Sequence, residues 1–304
     1  MKLLLKLLES YIVVLAVSLG VGLFSPQFGQ RLTPWTTFFL QVIFFLSSLK
    51  LEFRAVAKEA KNFRAVALVN IYTLVVFPII TYILARMVVP RYALPLLLLA
   101  AMPAGMTTPL LTEIVGGSVG LALVLTMTTS LLAPITVPLA VKLLAGSEVV
   151  VPALKIFWSL LTVIVVPFAL AQIVRLVLRE RIKATFFTFK PVSIVLLGLL
   201  IVGVVSQRAT EIKSNVGLFV GAIVVLAFFF ALLHLAGYWG VPGLSHPQRL
   251  AVTVSLTYMN FTLAIYLAGK FFPQPEVLIP VILSVFPWSI GIIPFRMMMK
   301  RRRQ

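Results

Sequence analysis

Three threonines, Thr107, Thr108 and Thr112, and one carboxylate, Glu113, lie inside MPAGMTTPLLTEIVGG (Met102–Gly117). The stretch follows the apolar run Tyr92–Met102, and Pro103, Gly105 and Pro109 interrupt the helix that the run begins. A helix broken in lipid leaves backbone N–H and C=O groups unpaired, each at a cost of several kcal/mol. Such a break persists only where it lines a cavity or meets a partner element. The chemistry available there is recognition. A new half-helix presents unpaired N–H groups and a positive dipole end, which together suit a carboxylate. The dipole supplies only ~0.3–2 kcal/mol, so hydrogen bonds from Thr107 or Thr108 must supply the remainder. Broken helices of this kind build substrate sites in carriers, so the stretch points to transport.

A second polar group interrupts TVSLTYMNFTLAIYLAGKFF, where Thr257, Asn260 and Thr262 sit in an apolar run. Asn260 needs a partner at that depth, either a crossing segment or a ligand. Glu113 is the one acidic residue deep within a predicted span. It reads either as a proton-linked carboxylate or as a residue near the boundary, about 12 Å past the break, where water reaches it. His234 on an apolar span reads as a packing residue, with proton carriage as the alternative, and His246 reads as a solvated loop residue. No second histidine or carboxylate completes a metal site. Cysteine is absent, which excludes disulfides and thiolate chemistry. GGSVG lacks the lysine of a phosphate-binding loop, and no nucleophile–base pair is present, so enzymatic function is not expected.

These residues need elements to hold them. The chain of 304 residues is 61% hydrophobic and 11% charged, with mean hydropathy +1.11, and reads as an all-α polytopic membrane protein. Ten spans are expected, at about 8–24, 33–50, 65–88, 92–116, 118–144, 151–175, 184–206, 215–238, 248–271 and 276–297. The basic N-terminus is followed by no cleavage-site pattern and reads as part of the first span. With the N-terminus in the cytoplasm, 18 of the 26 lysines and arginines fall inside, so both termini are expected to be cytoplasmic, in the cell membrane. The net charge of +18 is thereby explained as topology in contact with the lipid bilayer, and nucleic acid is not an expected partner.

Basic loops after the second span (KLEFRAVAKEAKNFR) and the sixth (RLVLRERIKATFFTFK) divide the chain into halves 1–146 and 147–304. Five spans per half give an inverted repeat in which the fourth and ninth spans, both interrupted, correspond. Proline pairs Pro134/Pro138 and Pro287/Pro294 in the fifth and tenth spans predict bent helices beside the breaks.

On three stretches the chain resembles the bile acid:sodium symporter family. PAGMTTPLLTEIVGGSVGLALVLTMTTSLLAPITVPLAVKLLAG is similar to its fourth and fifth spans. LLHLAGYWGVPGLSHPQRLAVTVSLTYMNFTLAIYLA is similar to its eighth and ninth, and FFLSSLKLEFRAVAKEAKNFRAV to its second span and following loop. The resemblance implies a panel domain from spans 1, 2, 6 and 7, and a core domain from spans 3–5 and 8–10. Spans 4 and 9 unwind and cross in that core, and the substrates are organic anions, often with sodium. It also implies two sodium sites. At the aligned ligand positions of one, this chain has Thr108, Pro109, Ala122, Thr126 and Ser255. The glutamines of the other are replaced by Thr73 and Met259. The carboxylate and the amides are gone, whereas a hard cation wants several oxygen ligands.

The resulting expectation is a secondary carrier of a small organic anion, with no cofactor, working by alternating access. Substrate contacts are expected from Thr107, Thr108, Thr112, Asn260 and Thr262. Any ion coupling would fall on Thr73, Thr108, Glu113, Thr126, Ser255 and Thr257, with loss of sodium coupling expected. The alternatives are an uncoupled or proton-linked exporter or facilitator and, from another class, a channel-like or sensor protein. Substrate identity and oligomeric state are open at this stage.

Overall fold

A computed structural model describes residues 11–51, 63–147, 149–215 and 217–301. Most of the basic loop KLEFRAVAKEAKNFR, together with Lys2, Lys6, Arg302 and Arg303, lies outside these residues. Among the described residues the chain is all-helical apart from turns and one isolated antiparallel β-bridge.

Six helices are long and apolar enough to cross a bilayer: Phe63–Val88, Val119–Ala145, Ala153–Leu178, Phe186–Ser206, Gly217–Trp239 and Pro275–Met299. A further pair, Ile12–Phe24 and Pro26–Ser48, meets the same test together and is bent by 110°. The second member starts at Pro26 and not near residue 33, because a 3₁₀ turn at Thr33–Trp35 carries the helix through Pro34. The two interrupted spans of the sequence reading are pairs of short helices. Ala93–Ala100 is followed by Thr108–Val115, and His246–Thr257 by Phe261–Phe271. Eight residues rise only about 12 Å, so neither member of the first pair crosses a bilayer alone.

Proline shapes several of these helices. It lacks an N–H and frees the carbonyl four residues earlier. One π-turn, Tyr72–Val76, stands directly before the Phe77–Pro78 step, and another, Leu161–Val165, before Val166–Pro167. Val119–Ala145 contains Pro134 and Pro138 without losing continuity. The last long helix pauses at Ser284, and Pro287 cannot donate to Leu283. Large apolar side chains such as Ile83, Met87, Leu143, Leu176 and Phe228 remain exposed, as lipid-facing surface requires. Small residues allow close helix approach. At Gly29 a methyl group would stand 2.5 Å from Ser206 Cβ, and Thr33 Oγ1 donates to Gly203 O at 2.9 Å in the same contact.

Candidate functional site

The two breaks meet. Gly105 N donates to Tyr258 O (3.0 Å) and Asn260 N to Pro103 O (2.8 Å), on either side of the Ala104–Met259 bridge. Each interrupted segment thus satisfies the backbone groups that the other frees. Gly105 is required, since a Cβ there would stand 2.5 Å from Tyr258 O. Thr129 adds a third tie. Its hydroxyl accepts from Ala104 N (3.1 Å) and donates to Leu125 O (2.6 Å). Thr129 was not singled out in the sequence, because a threonine in the middle of a long helix carries no distinguishing pattern.

The half-helices start and stop by ordinary capping. Asn260 caps Phe261–Phe271, its Oδ1 accepting from Leu263 N at 3.0 Å. Thr108–Val115 has Pro109 in its first turn and ends where Gly116 takes φ +75°, which lets Gly117 N return to Thr112 O. Its start has few free amides. Thr108 N is bonded to Gly105 O and Pro109 has no N–H, which leaves the Leu110 amide as the donor the turn still offers.

Two cavities adjoin the crossing. The inner one, about 80 Å³, is lined by Gly105, Thr107, Met259, Asn260, Thr262 and their neighbours. The outer one, about 700 Å³, is lined by Ser47, Lys50, Met106, Thr107, Phe189, Lys190, Ser193, Tyr258 and Trp288 among others. Thr107, Met106, Ser47, Ser193 and Trp288 belong to both, so the two spaces share a wall. Behind this wall Tyr258 hydroxyl lies 3.2 Å from His234 Nε2, and His234 Nδ1 lies 2.7 Å from Phe230 O. His234 therefore braces a cavity residue, a role that its isolation in the sequence concealed.

The expected site residues separate into groups. Thr107, Asn260 and Thr262 face the inner cavity together. Thr108 is fully buried, with its hydroxyl 3.5 Å from Tyr258 O, and acts as a strut of the crossing. Thr112 is fully buried away from both cavities, and its hydroxyl has no partner among the described residues. Glu113 is exposed in the last turn of its half-helix and lines neither cavity. Thr126 Oγ1 donates to Ala122 O (2.8 Å), and Thr257 is fully buried.

Thr73 and Ser255 share a separate space of about 10 Å³ with Thr129 and Ala104, only enough for one water-sized group. Thr73 Oγ1 and Thr129 Oγ1 both donate to helix carbonyls there, at 2.8 and 2.6 Å. No carboxylate lines it among the described residues. Three hydroxyls, from Thr73, Thr129 and Ser255, are fewer side-chain oxygens than a hard cation takes, so this set is a poor fit for sodium. Nor do the described residues include a cluster of three or more histidines, aspartates or glutamates able to hold a metal.

No curated protein matches the chain. A family model described as the Sodium Bile acid symporter family matches residues 37–215, more than half of the sequence. The match takes in the first break and stops before the second, whose partnership with the first comes from the backbone bonds alone. With its apolar helices and its crossed, cavity-lining breaks, the chain is a membrane transporter that belongs to the sodium bile acid symporter family.

Proposed function

We propose that the protein is a secondary carrier of small organic anions that works by alternating access without sodium. The observation that carries this reading is the pair of adjoining cavities, the inner one lined by Thr107, Asn260 and Thr262 at the crossing. A carboxylate bound there meets the Thr107 hydroxyl and the remaining amide at the start of the half-helix, in an apolar enclosure that strengthens both.

In this reading the bent pair contributes two crossings and each broken pair one, so that ten spans are made with the six long helices. The reciprocal bonds about Ala104 and Met259 support an inverted repeat of 1–146 and 147–304, with its pseudo-two-fold axis passing between those residues. The cavity lies between helices of the panel (Pro26–Ser48, Phe186–Ser206) and elements of the core (Thr108–Val115, Pro275–Met299). Rocking of one against the other exposes the site to each side in turn. Both termini lie in the cytoplasm of a cell-membrane protein.

The missing oxygen ligands around Thr73 and Ser255 support the loss of sodium. Proton linkage through Glu113 has no support from contact with either cavity. The test is counterflow in proteoliposomes with a panel of labelled monocarboxylates. At least one acid should exchange, and Thr107→Val should weaken its half-saturation about tenfold, as expected for loss of a hydrogen bond to a charged group. Absence of exchange for every acid, or a Thr107→Val variant indistinguishable from the parent, would overturn the assignment.

A further inference from the structure

The bonds around His234 fix which ring nitrogen holds the hydrogen. Nδ1 lies 2.7 Å from Phe230 O, and a carbonyl only accepts, so Nδ1 carries the N–H. Nε2 of the neutral ring then offers its lone pair to the Tyr258 hydroxyl, 3.2 Å away. Gly291 leaves room for the pair, since a Cβ there would stand 3.3 Å from His234 Cε1 and 3.4 Å from Tyr258 Oη. Tyr258 also belongs to the anion site. It lines the outer cavity, and its carbonyl accepts from Gly105 N, close before Thr107. One residue thus touches both the histidine and the crossing.

A second proton on His234 reverses the bond and adds a charge. Nε2–H becomes the donor, and Tyr258 turns its own hydrogen elsewhere. A cation among apolar side chains needs a counter-charge. The segments in contact with His234 are its own helix, the break at Tyr258 with the helix before it, and the last helix through Gly291 and Phe295. Their other charged and titratable groups are engaged elsewhere. Tyr238 meets His246 at 2.8 Å, Arg249 Nε donates to Leu244 O, and Glu276 pairs with Arg91. Arg296 lines a different cavity, and Lys300 and Arg301 lie more than a turn beyond Phe295. Tyr72 donates to Ala236 O on the same helix as His234. Among the described residues no carboxylate is placed against the ring, and none lines the outer cavity.

We propose that His234 is the proton site of the carrier, loaded together with the anion, which supplies the counter-charge that the protein withholds. This rests on the reading of the cavity as an organic-anion site and adds its coupling ion. One proton from solution joins Nε2 as one monoanion enters, so the loaded carrier gains no net charge. The linkage is reciprocal: the bound anion raises the proton affinity of His234 by the factor by which the proton tightens the anion. Tyr258 transmits the exchange, because its hydroxyl changes from donor to acceptor while its carbonyl stays at the crossing. Lys50 and Lys190 also line the outer cavity, and burial first, then the charge of Lys190, lower the proton affinity of Lys50. Lys50 is therefore the competing source of any pH dependence.

The experiment measures thermal stabilisation of the purified carrier in neutral detergent between about pH 5.5 and 8.5. The ligands are linear alkanesulfonates from propanesulfonate to octanesulfonate, each beside the carboxylate of equal chain length. A sulfonate stays ionised throughout, so any proton taken up belongs to the protein. Affinity for both kinds should fall with rising pH, by up to about tenfold per unit. His234→Gln should flatten that slope, and Lys50→Gln should keep it. Ring-nitrogen NMR of histidine-labelled protein reads the site without altering it. The chain has two histidines, so His246→Gln leaves the His234 signals alone. At a fixed pH, the best sulfonate should convert that ring from the Nδ1–H form to the doubly protonated form. Anion binding that ignores pH, with the His234 ring unchanged, would overturn the proton site and leave the Thr107 assignment standing. So would a slope that survives His234→Gln and vanishes in Lys50→Gln. Carboxylates that bind where no sulfonate does would mean that the acid brings its own proton, and the proposal fails. No stabilisation by either kind would overturn both readings.

Discussion

Gly105→Ala is expected to abolish transport and to lower the thermal stability of the protein. The added methyl would stand 2.5 Å from Tyr258 O and 3.2 Å from Met259 O, and both are backbone atoms that cannot turn aside. Relief requires the two breaks to separate, which lengthens the Gly105 N to Tyr258 O bond and strains the reciprocal Asn260 N to Pro103 O bond. Overpacking and one lost buried hydrogen bond together cost about 3 kcal/mol. The same displacement moves Thr107 and Asn260 relative to each other, so flux should fall more than stability alone requires. Gly20→Ala is the control, because its Cβ would meet nothing within 4 Å. It should leave flux intact and the melting temperature equal or slightly raised. A Gly105→Ala variant that transports and melts like the parent would mean that the crossing does not hold the site.

The second large effect is expected in the middle of Phe261–Phe271. Tyr266, 1% exposed, accepts from or donates to Ser159 Oγ (2.8 Å) and Thr37 Oγ1 (3.1 Å), and accepts from Lys270 Nζ (2.8 Å). It lies six residues, or about 9 Å, from the Asn260 cap. One hydroxyl thus joins a half-helix of the proposed core to two helices of the proposed panel. Tyr266→Phe removes the shared atom and leaves buried Ser159 with less to bond. About 2 kcal/mol is at stake, enough to move a two-state balance by about thirtyfold. The expected result is a shift toward the state open on that side. The natural absence of cysteine makes this measurable with a single Thr262→Cys probe and an impermeant thiol reagent. Labelling from the side of Tyr266 should accelerate about tenfold or more in the Tyr266→Phe background. An unchanged rate would mean that the cluster is a packing feature and does not hold the closed side.

The breaks were legible because proline and glycine clustered at 103, 105 and 109 disfavour a helix interior, and because Thr257–Thr262 brings polarity into an apolar run. The cap at Asn260 was less legible. Its side chain could be read as ligand or tie until the helix start at Phe261 was known, and the structure has its Oδ1 bonded to Leu263 N while the residue also lines the inner cavity. Thr112 lies outside both cavities for a geometric reason. It lies four positions after Thr108, which puts both on one helix face, and that face is buried against the protein and away from the cavities. Lys50 and Lys190 carry a topological signal strong enough to hide any other, and only the cavity lining shows them sharing a wall with Thr107. Tyr258 and Tyr266 were not singled out, because a hydroxyl partner on a distant helix leaves no trace in local sequence. Hydropathy also merges two short half-helices into one apparent span, so the halves themselves had to come from the backbone.

The central claim is that this member of a sodium symporter family keeps the crossed site and has lost the sodium. Initial uptake of an accepted anion into proteoliposomes tests it most directly, with an inward sodium gradient compared with an equal potassium gradient at matched membrane potential. The two rates should agree within error, because only Thr73, Thr129 and Ser255 offer side-chain oxygens around the small space beside Ser255, and no carboxylate lines it among the described residues. A severalfold stimulation by sodium that disappears in Thr126→Ala would contradict the account.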